Sequence, residues 1–275
     1  MAGSRTYAAL PIATLLLISG CSSVGPFAPE DGAPAGDIDV AAIPDAVPRI
    51  EPRSRSGNPP NYVVNGRRYH LLDTAVGYRE RGIASWYGTK FHGRRTSSGE
   101  PYDMYAMTAA HKSLPLPAYV RVTNLQNRRT TIVRVNDRGP FHPNRIIDLS
   151  YAAAKKLGIA ANGTGLVEVE AITPGHPPAA PLQVTPAAPT ASASTGTRPG
   201  LYLQVGAFVS RHNAERLQMR LAQSNLGRVY IQPTNAGDQA VYRVRLGPIG
   251  NVERADQLAE TLTGLGYGEP HIVVE

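Results

Sequence analysis

The sequence predicts two folded regions, an all-β closed barrel followed by a four-stranded α+β sheet, with Pro/Ala-rich linkers around them. Residues 61–173 contain six short stretches with strand character and one short helix, whereas residues 200–275 repeat one strand–helix–strand pattern. Residues 21–60 and 174–199 are rich in Pro and Ala and show no apolar periodicity. We therefore expect both of these segments to be disordered.

Residues 1–20 have the pattern of a secretory signal peptide, with Arg5 before a short apolar run. The run is too short to span a membrane. It ends in Ile18-Ser19-Gly20-Cys21, which resembles a bacterial lipobox. The resemblance implies cleavage before Cys21 and lipid attachment there, and Ser22 in the next position implies the outer membrane. An ordinary signal peptide followed by a stray cysteine is the alternative.

The composition limits the chemistry that the chain can perform. Because Cys21 is the only cysteine, an intramolecular disulfide and a Cys/His metal site are excluded. No pair of histidines has metal-ligand spacing, and no cofactor motif is present. The net charge of +7 favours anionic surroundings. In an exported protein these are wall polymer or lipid headgroups rather than nucleic acid, although a generally basic surface is an open alternative.

The barrel prediction follows from runs of alternating or β-branched residues separated by Gly, Pro and Asn. The six runs are Ile83–Tyr87, Tyr105–Ala110, Tyr119–Asn124, Thr130–Asn136, Ile146–Leu149 and Gly165–Ile172. Ser150 is placed to cap a helix that continues to Leu157 and ends at Gly158. Six short strands and one helix are typical of a small closed barrel.

The C-terminal region contains a repeat of about 41 residues that aligns Gly206 with Gly247. It predicts a β-α-β-β-α-β fold of the ferredoxin/RNP-like type, with both helices on one face of the sheet. Alternation then directs four polar or aromatic side chains to the uncovered face, where they are candidates for binding a polar polymer. These are Tyr202, Gln204, Arg243 and Arg245.

Three residues in the barrel region are candidates for acid–base chemistry. Asp137 ends a predicted strand and begins a Gly-Pro turn, and Glu100 lies between Gly99 and Pro101. Rigid backbone orients a carboxylate, and nearby aromatic residues can raise its pKa into a catalytic range. Taken alone, each carboxylate is more often a turn cap than a catalyst. His111 follows the second predicted strand.

The blocks in this region resemble the double-psi β-barrel of the rare lipoprotein A family. They are Ala84-Ser85-Trp86-Tyr87-Gly88 with Phe91-His92-Gly93, Gly99-Glu100 with Tyr102-Asp103, His111, Asn136-Asp137-Arg138-Gly139-Pro140-Phe141, and Asp148-Leu149-Ser150. The C-terminal region resembles a SPOR module through Leu203–Phe208 and Tyr242–Pro248, except that Ala207 stands where such modules often carry serine.

The resemblance implies a lytic transglycosylase that cleaves the MurNAc–GlcNAc bond of peptidoglycan without water and forms 1,6-anhydro ends. It implies a preference for denuded glycan, which is free of stem peptides, and a SPOR module that binds this glycan at the division septum near divisome proteins. It also implies catalytic roles for Glu100, His111 and Asp137. We expect Asp137 to carry both proton transfers, Glu100 to stabilise positive charge and His111 to orient a carboxyl.

Several alternatives remain open from the sequence alone. Asp148 lies between apolar residues, which indicates a structural carboxylate, although it could line the groove. Trp86 and Tyr87 could stack on sugar or pack in the core, and His92 has the pattern of a structural residue. The chain could also act as a non-catalytic, expansin-like binding protein that tethers the membrane to septal wall, or as a hydrolase.

Overall fold

The computed structural model describes residues 31–36, 38–174, 200–236 and 239–275. The proposed signal peptide, Cys21 and nearly all of the second linker lie outside the described residues. Within the described ranges, no helix combines the length and apolar character needed to cross a bilayer.

Six strands close into the barrel that the sequence predicted. They are β3 (Arg79–Tyr87), β4 (Thr108–His111), β5 (Ala118–Asn124), β6 (Thr130–Asp137), β7 (Arg145–Ser150) and β8 (Gly165–Ile172). Around the barrel the order is β3-β7-β4-β6-β5-β8, and the β3–β7 and β4–β6 pairs are parallel. Strand β4 is shorter than predicted because Tyr105 and Ala106 form a turn before it.

Along each barrel strand, every second side chain points into the barrel, and the side chains between them lie on its outer surface. On β6, for example, Thr131, Val133 and Val135 are completely buried, whereas Ile132 and Arg134 are partly exposed. Helix α1 (Tyr151–Leu157) closes one side of the core, and Ser150 caps it by accepting a hydrogen bond from the Ala153 amide at 3.2 Å. Gly158 ends the helix with a left-handed backbone conformation, as its position predicted.

The second region is the predicted four-stranded sheet with two helices on one face. Its elements are β9 (Leu201–Phe208), α2 (Arg211–Gln223), β10 (Val229–Ala236), β11 (Gln239–Ile249), α3 (Val252–Gly264) and β12 (His271–Val274). The sheet order is β10-β11-β9-β12. Leu203, Val244 and Leu246 are buried beneath the helices, as the alternation predicted. Arg245 is buried as well, contrary to the exposure that alternation predicted for it; the pairing of its strand with β9 shifts register between Val244 and Arg245.

A hairpin that the sequence analysis missed precedes the barrel. Strands β1 (Asn61–Val64) and β2 (Arg67–His70) pair antiparallel and form a sheet of their own. Neither strand alternates clearly between apolar and polar residues, and each has only 4 residues. A local pattern of this length gives too little information to predict a strand.

The described part of the N-terminal linker is attached to the barrel, which contradicts the prediction of disorder up to Pro60. We call residues 31–36 and 38–60 the strap. The Ala46 amide donates to the Ile132 carbonyl at 3.0 Å, and the Ser54 amide donates to the Leu116 carbonyl at 2.9 Å. Backbone hydrogen bonds between distant segments leave no periodic trace in a sequence, which explains why composition predicted a disordered tether.

Candidate active site

One row of side chains crosses four neighbouring strands on the outer face of the barrel. Asp137 on β6 pairs in register with Ala110 on β4, Ala110 pairs with Asp148 on β7, and Asp148 pairs with Ser85 on β3. Direct cross-strand partners point to the same face of a sheet. The row therefore places two carboxyls on either side of the small Ala110 side chain, and we call it the carboxyl row.

Asp137 is held through one of its two carboxylate oxygens. Its Oδ1 accepts hydrogen bonds from the Ser97 amide, the Ser97 hydroxyl and the Arg138 amide, each at 2.7 Å. Among the described residues, no group donates to Oδ2. The side chain is partly exposed. Asp137 thus has a fixed orientation and keeps one oxygen available to a substrate.

Asp148 is more recessed than Asp137 but still reaches the surface. Its Oδ1 accepts a hydrogen bond from the Ser85 hydroxyl at 2.5 Å. Burial raises the pKa of Asp148, although the Ser85 hydroxyl and the positive charges of Lys112 and Arg145 act in the opposite direction. A carboxyl with a raised pKa holds its proton at higher pH, as a general acid requires.

Glu100 is held beside the carboxyl row by a fork of hydrogen bonds. Arg134 Nη1 donates to its two carboxylate oxygens at 2.9 and 2.8 Å, and Asn136 Nδ2 donates at 3.0 Å. Burial raises the pKa of Glu100, but these hydrogen bonds and the charge of Arg134 outweigh it, so that the net pKa lies below its usual value. Glu100 therefore stays ionised while Asp148 is the easier group to protonate.

Glu51 in the strap holds the other side of the same guanidinium. Arg134 Nε and Nη2 donate to the Glu51 carboxylate at 3.0 and 2.9 Å. These bonds lower the pKa of Glu51 to about 2. Sequence analysis missed Glu51, because the only signal was an isolated carboxylate in a Pro-rich segment.

His111 does not contact either catalytic candidate with its ring, contrary to the expected role. Its Nδ1 accepts from the Ser113 and Leu114 amides at 3.1 and 3.0 Å, and its Nε2 lies 2.8 Å from the Tyr78 hydroxyl. Burial lowers the pKa of His111 to about 3, so the ring is neutral. The backbone carbonyl of His111 accepts from Arg138 Nη1 at 3.1 Å, which links this turn to Asp137 only indirectly.

The two aromatic candidates for sugar stacking are both engaged within the fold. Trp86 donates from Nε1 to the Ala160 carbonyl at 3.2 Å and packs edge-on against Tyr151. Tyr87 is 8% exposed and stacks on Tyr102 with ring centroids 4.0 Å apart. Both rings therefore contribute to packing. Burial, together with the charges of Asp137 and Asp148, raises the pKa of the Tyr87 hydroxyl, and a hydrogen bond with Thr108 acts in the opposite direction.

The four polar and aromatic residues that the sequence directs to the uncovered face of the C-terminal sheet differ in their contacts and in their exposure. Arg243 donates to Gln204 Oε1 at 3.2 Å, and Tyr202 packs edge-on against Tyr230. Arg245 is only 6% exposed and forms an ion pair with Glu275. Arg243, Gln204 and Tyr202 are partly exposed, which makes them better placed than Arg245 for direct contact.

Comparisons with known proteins agree with both domains. The family model described as lytic transglycolase matches residues 79–170, and the SPOR domain model matches residues 197–274. The endolytic peptidoglycan transglycosylase RlpA of Pseudomonas aeruginosa is 41% identical in an alignment of 320 positions that covers 94% of this chain and 93% of the relative. The chain belongs to the RlpA family. It is accordingly a lytic transglycosylase with a double-psi barrel and a SPOR domain.

Two further similarities were found. The Vibrio cholerae protein that is also named endolytic peptidoglycan transglycosylase RlpA is 42% identical over 273 residues, covering 98% of this chain and 97% of the relative. The crystal structure of the RlpA SPOR domain from Pseudomonas aeruginosa is 36% identical, covers 27% of this chain and 97% of that chain, and has a TM-score of 0.26.

Proposed function

We propose that this chain cleaves the MurNAc–GlcNAc bond of denuded peptidoglycan endolytically and leaves 1,6-anhydroMurNAc ends. The observation that carries this proposal is the carboxyl row, in which Asp137 and Asp148 flank the small Ala110 side chain on an outer barrel face. Asp137 and Asp148 both reach the surface of the barrel, and two carboxyls placed side by side there suit a polymer that is cut within its length. The names of the two relatives described above support the endolytic assignment.

Asp148 is the proton donor in this proposal, instead of Asp137 as the sequence suggested. Its raised pKa favours the protonated form at the start of the reaction. The proton passes to the glycosidic oxygen as the bond from that oxygen to C1 of MurNAc breaks. The C6 hydroxyl of the same MurNAc attacks C1 and gives its proton to Asp148, which restores the acid without using water.

Asp137 and Glu100 stabilise the positive charge that develops on the sugar ring. Asp137 has its Oδ1 fixed by hydrogen bonds, which leaves its Oδ2 for the substrate, and Glu100 is kept ionised by Arg134. His111 acts as a positioning residue. Its ring shapes the turn that carries the Leu114 carbonyl, and this carbonyl accepts a 2.5 Å hydrogen bond from Arg138, whose amide binds Asp137.

The enzyme acts from the outer membrane on the wall of the septum. Lipid on Cys21 anchors the chain to the outer membrane with both domains in the periplasm, and the SPOR sheet binds denuded glycan at the septum through Tyr202, Gln204 and Arg243, beside divisome proteins. The SPOR domain and the partly exposed Arg243–Gln204 pair on its sheet support the glycan-binding step, and the lipobox pattern that ends at Cys21 supports the anchor.

The test is to digest denuded glycan with the full chain and identify the ends by mass spectrometry. Anhydro ends are expected with the parent, and they should almost disappear with Asp148→Asn, Asp137→Asn and Glu100→Gln. Asp73→Asn is the control, because the Asp73 carboxyl is exposed and outside the carboxyl row. Reducing ends would indicate a hydrolase, and bound but uncut strands would indicate a tethering protein. Either result contradicts the proposal.

A further inference from the structure

The β1–β2 hairpin lies outside the segment that matches the lytic transglycosylase family, yet it is attached next to the catalytic candidates. The Tyr62 hydroxyl donates to the Lys112 carbonyl at 2.8 Å, and the Leu72 amide donates to the Ser113 carbonyl at 2.8 Å. Both acceptors belong to the turn that follows His111. The hairpin is thereby fixed to the part of the barrel that supports Arg138 and Asp137.

Three aromatic rings meet where this hairpin touches the barrel. Tyr62 and Tyr69 are direct partners in the β1–β2 register, and their rings stack with centroids 5.2 Å apart and an interplanar angle of 20°. Phe141 approaches both rings edge-on, with centroid distances of 6.2 and 5.6 Å. We call Tyr62, Tyr69 and Phe141 the aromatic cluster.

Gly139 joins the aromatic cluster to the carboxyl row. A Cβ atom at this position would lie 3.7 Å from Asp148 Oδ2, 3.8 Å from the Ala110 methyl group and 4.0 Å from Phe141 Cε2. The absence of a side chain at Gly139 therefore leaves open the space that Asp148 and Phe141 share. Burial raises the pKa of Tyr62 to about 12; the charge of Arg138 opposes this, while Tyr69 and Asp137 add to it.

All three rings of the aromatic cluster are accessible at the surface. Phe141 is 36% exposed, and both tyrosines keep part of their surface accessible. Full burial of an aromatic side chain is favourable, so a ring left at the surface beside a reactive site is available to a ligand. Pyranose rings have an apolar face of C–H groups that fits against an aromatic ring, while their hydroxyls remain in water.

We propose that the aromatic cluster is a sugar-binding subsite at one end of the carboxyl row, where Phe141 and the hairpin tyrosines pack against a pyranose ring of the glycan. This inference rests on the proposed function, since the bound ring belongs to the strand that is cut. The subsite fixes one sugar relative to Asp148 and thereby aligns the adjacent glycosidic bond with the acid. It also gives the hairpin a role in substrate positioning.

The subsite is tested in the full chain by measuring kcat and KM on soluble denuded glycan for Phe141→Ala and Tyr69→Ala. We expect kcat/KM to fall about ten-fold for each, mainly through KM, because an aromatic contact of this type contributes on the order of a ten-fold change in binding. Phe141→Tyr, which keeps the ring, should restore most of the activity. Val63→Ala is the matched control, because Val63 is 55% exposed and its side chain alternates to the opposite face of the same strand.

A second measurement separates this inference from the proposed function. Binding of a four-sugar denuded fragment is measured in the non-cutting Asp148→Asn background, with and without Phe141→Leu, which keeps apolar volume but removes the flat ring. Weaker binding with Phe141→Leu supports the subsite even if the parent forms no anhydro ends. Unchanged binding and unchanged KM in all ring variants would overturn the subsite while leaving cleavage by the carboxyl row intact.

Discussion

Replacing Asp148 with asparagine separates catalysis from stability more clearly than any other single change. Asparagine has the same shape, and its side-chain oxygen can still accept the hydrogen bond from the Ser85 hydroxyl. It cannot donate and recover a proton at the pH of the reaction. General acid–base catalysis by a positioned side chain is worth about 10²–10⁴ in rate, which corresponds to about 3–5 kcal/mol of activation free energy.

The same change should not destabilise the fold. Because burial raises the folded-state pKa of Asp148, the parent loses stability relative to a neutral side chain as the pH rises through that pKa. At neutral pH the melting temperature of Asp148→Asn should therefore equal or exceed that of the parent. At acidic pH, where the parent carboxyl is protonated, the two melting temperatures should converge.

The assay combines the rate of anhydro-end formation on denuded glycan with thermal unfolding between pH 4 and 8. A folded Asp148→Asn protein that retains more than about a tenth of the parental rate would refute the assignment of the acid, since the expected loss is at least about 10². A large fall in melting temperature at neutral pH would refute the reasoning about the buried charge. In that case Asp148 would be a structural carboxylate, as the sequence pattern first indicated.

Three other predictions concern groups that support the site. Glu51→Gln should lower the free energy of unfolding by about 3 kcal/mol at pH 7, because the Glu51 pKa is lowered to about 2, and the difference should disappear as the pH falls towards 2. Urea unfolding at both pH values tests this, with Arg49→Gln, which removes an exposed partner, as the control. Since the pKa of His111 is lowered from 6.5 to about 3, the free energy of unfolding of the parent should fall by about 2 kcal/mol as the pH is lowered from 6.5 to 5. His111→Gln should lack this pH dependence, and the same dependence in both proteins would contradict a buried neutral ring. Gly139→Ala should lower the melting temperature because Gly139 has a φ of +140°, and it should reduce the rate of cleavage because the added Cβ would enter the space beside Asp148. Unchanged kinetics would mean that the substrate does not use this space.

The sequence predicted elements well where a single periodic pattern determines them. The strands Gly165–Ile172 and His271–Val274 and the helix from Tyr151 to Leu157 have the bounds that alternation and capping residues indicated. The six-strand barrel and the two-helix sheet were correct because each strand buries one face, and such burial fixes the alternation in the sequence. The motif blocks occur in the order typical of the family, and this order indicated family membership.

The candidate site was less predictable because it depends on contacts between distant segments. Asp137 and Asp148 lie in one row because β4 pairs in parallel with β6 and antiparallel with β7. No local sequence pattern encodes this pairing. The support from Glu51 and the stacking of Tyr62 on Tyr69 arise in the same way. His111 was singled out by its motif, but only the fold shows that its ring accepts backbone hydrogen bonds instead of touching a carboxylate.

The attachment of the strap changes how far a lipid-anchored form of this enzyme could work from the membrane. Asp31 Oδ1 accepts hydrogen bonds from the Gly88 and Lys90 amides at 3.0 and 3.1 Å, so attachment of the strap to the barrel begins at Asp31, about ten residues after Cys21. A segment of roughly ten residues spans at most about 35 Å. A tether that continued unattached to Pro60 would span about four times that distance. The carboxyl row of a lipid-anchored form could then reach only the glycan strands that lie nearest the membrane. Strands farther into the wall would have to approach to within this distance before they could be cut.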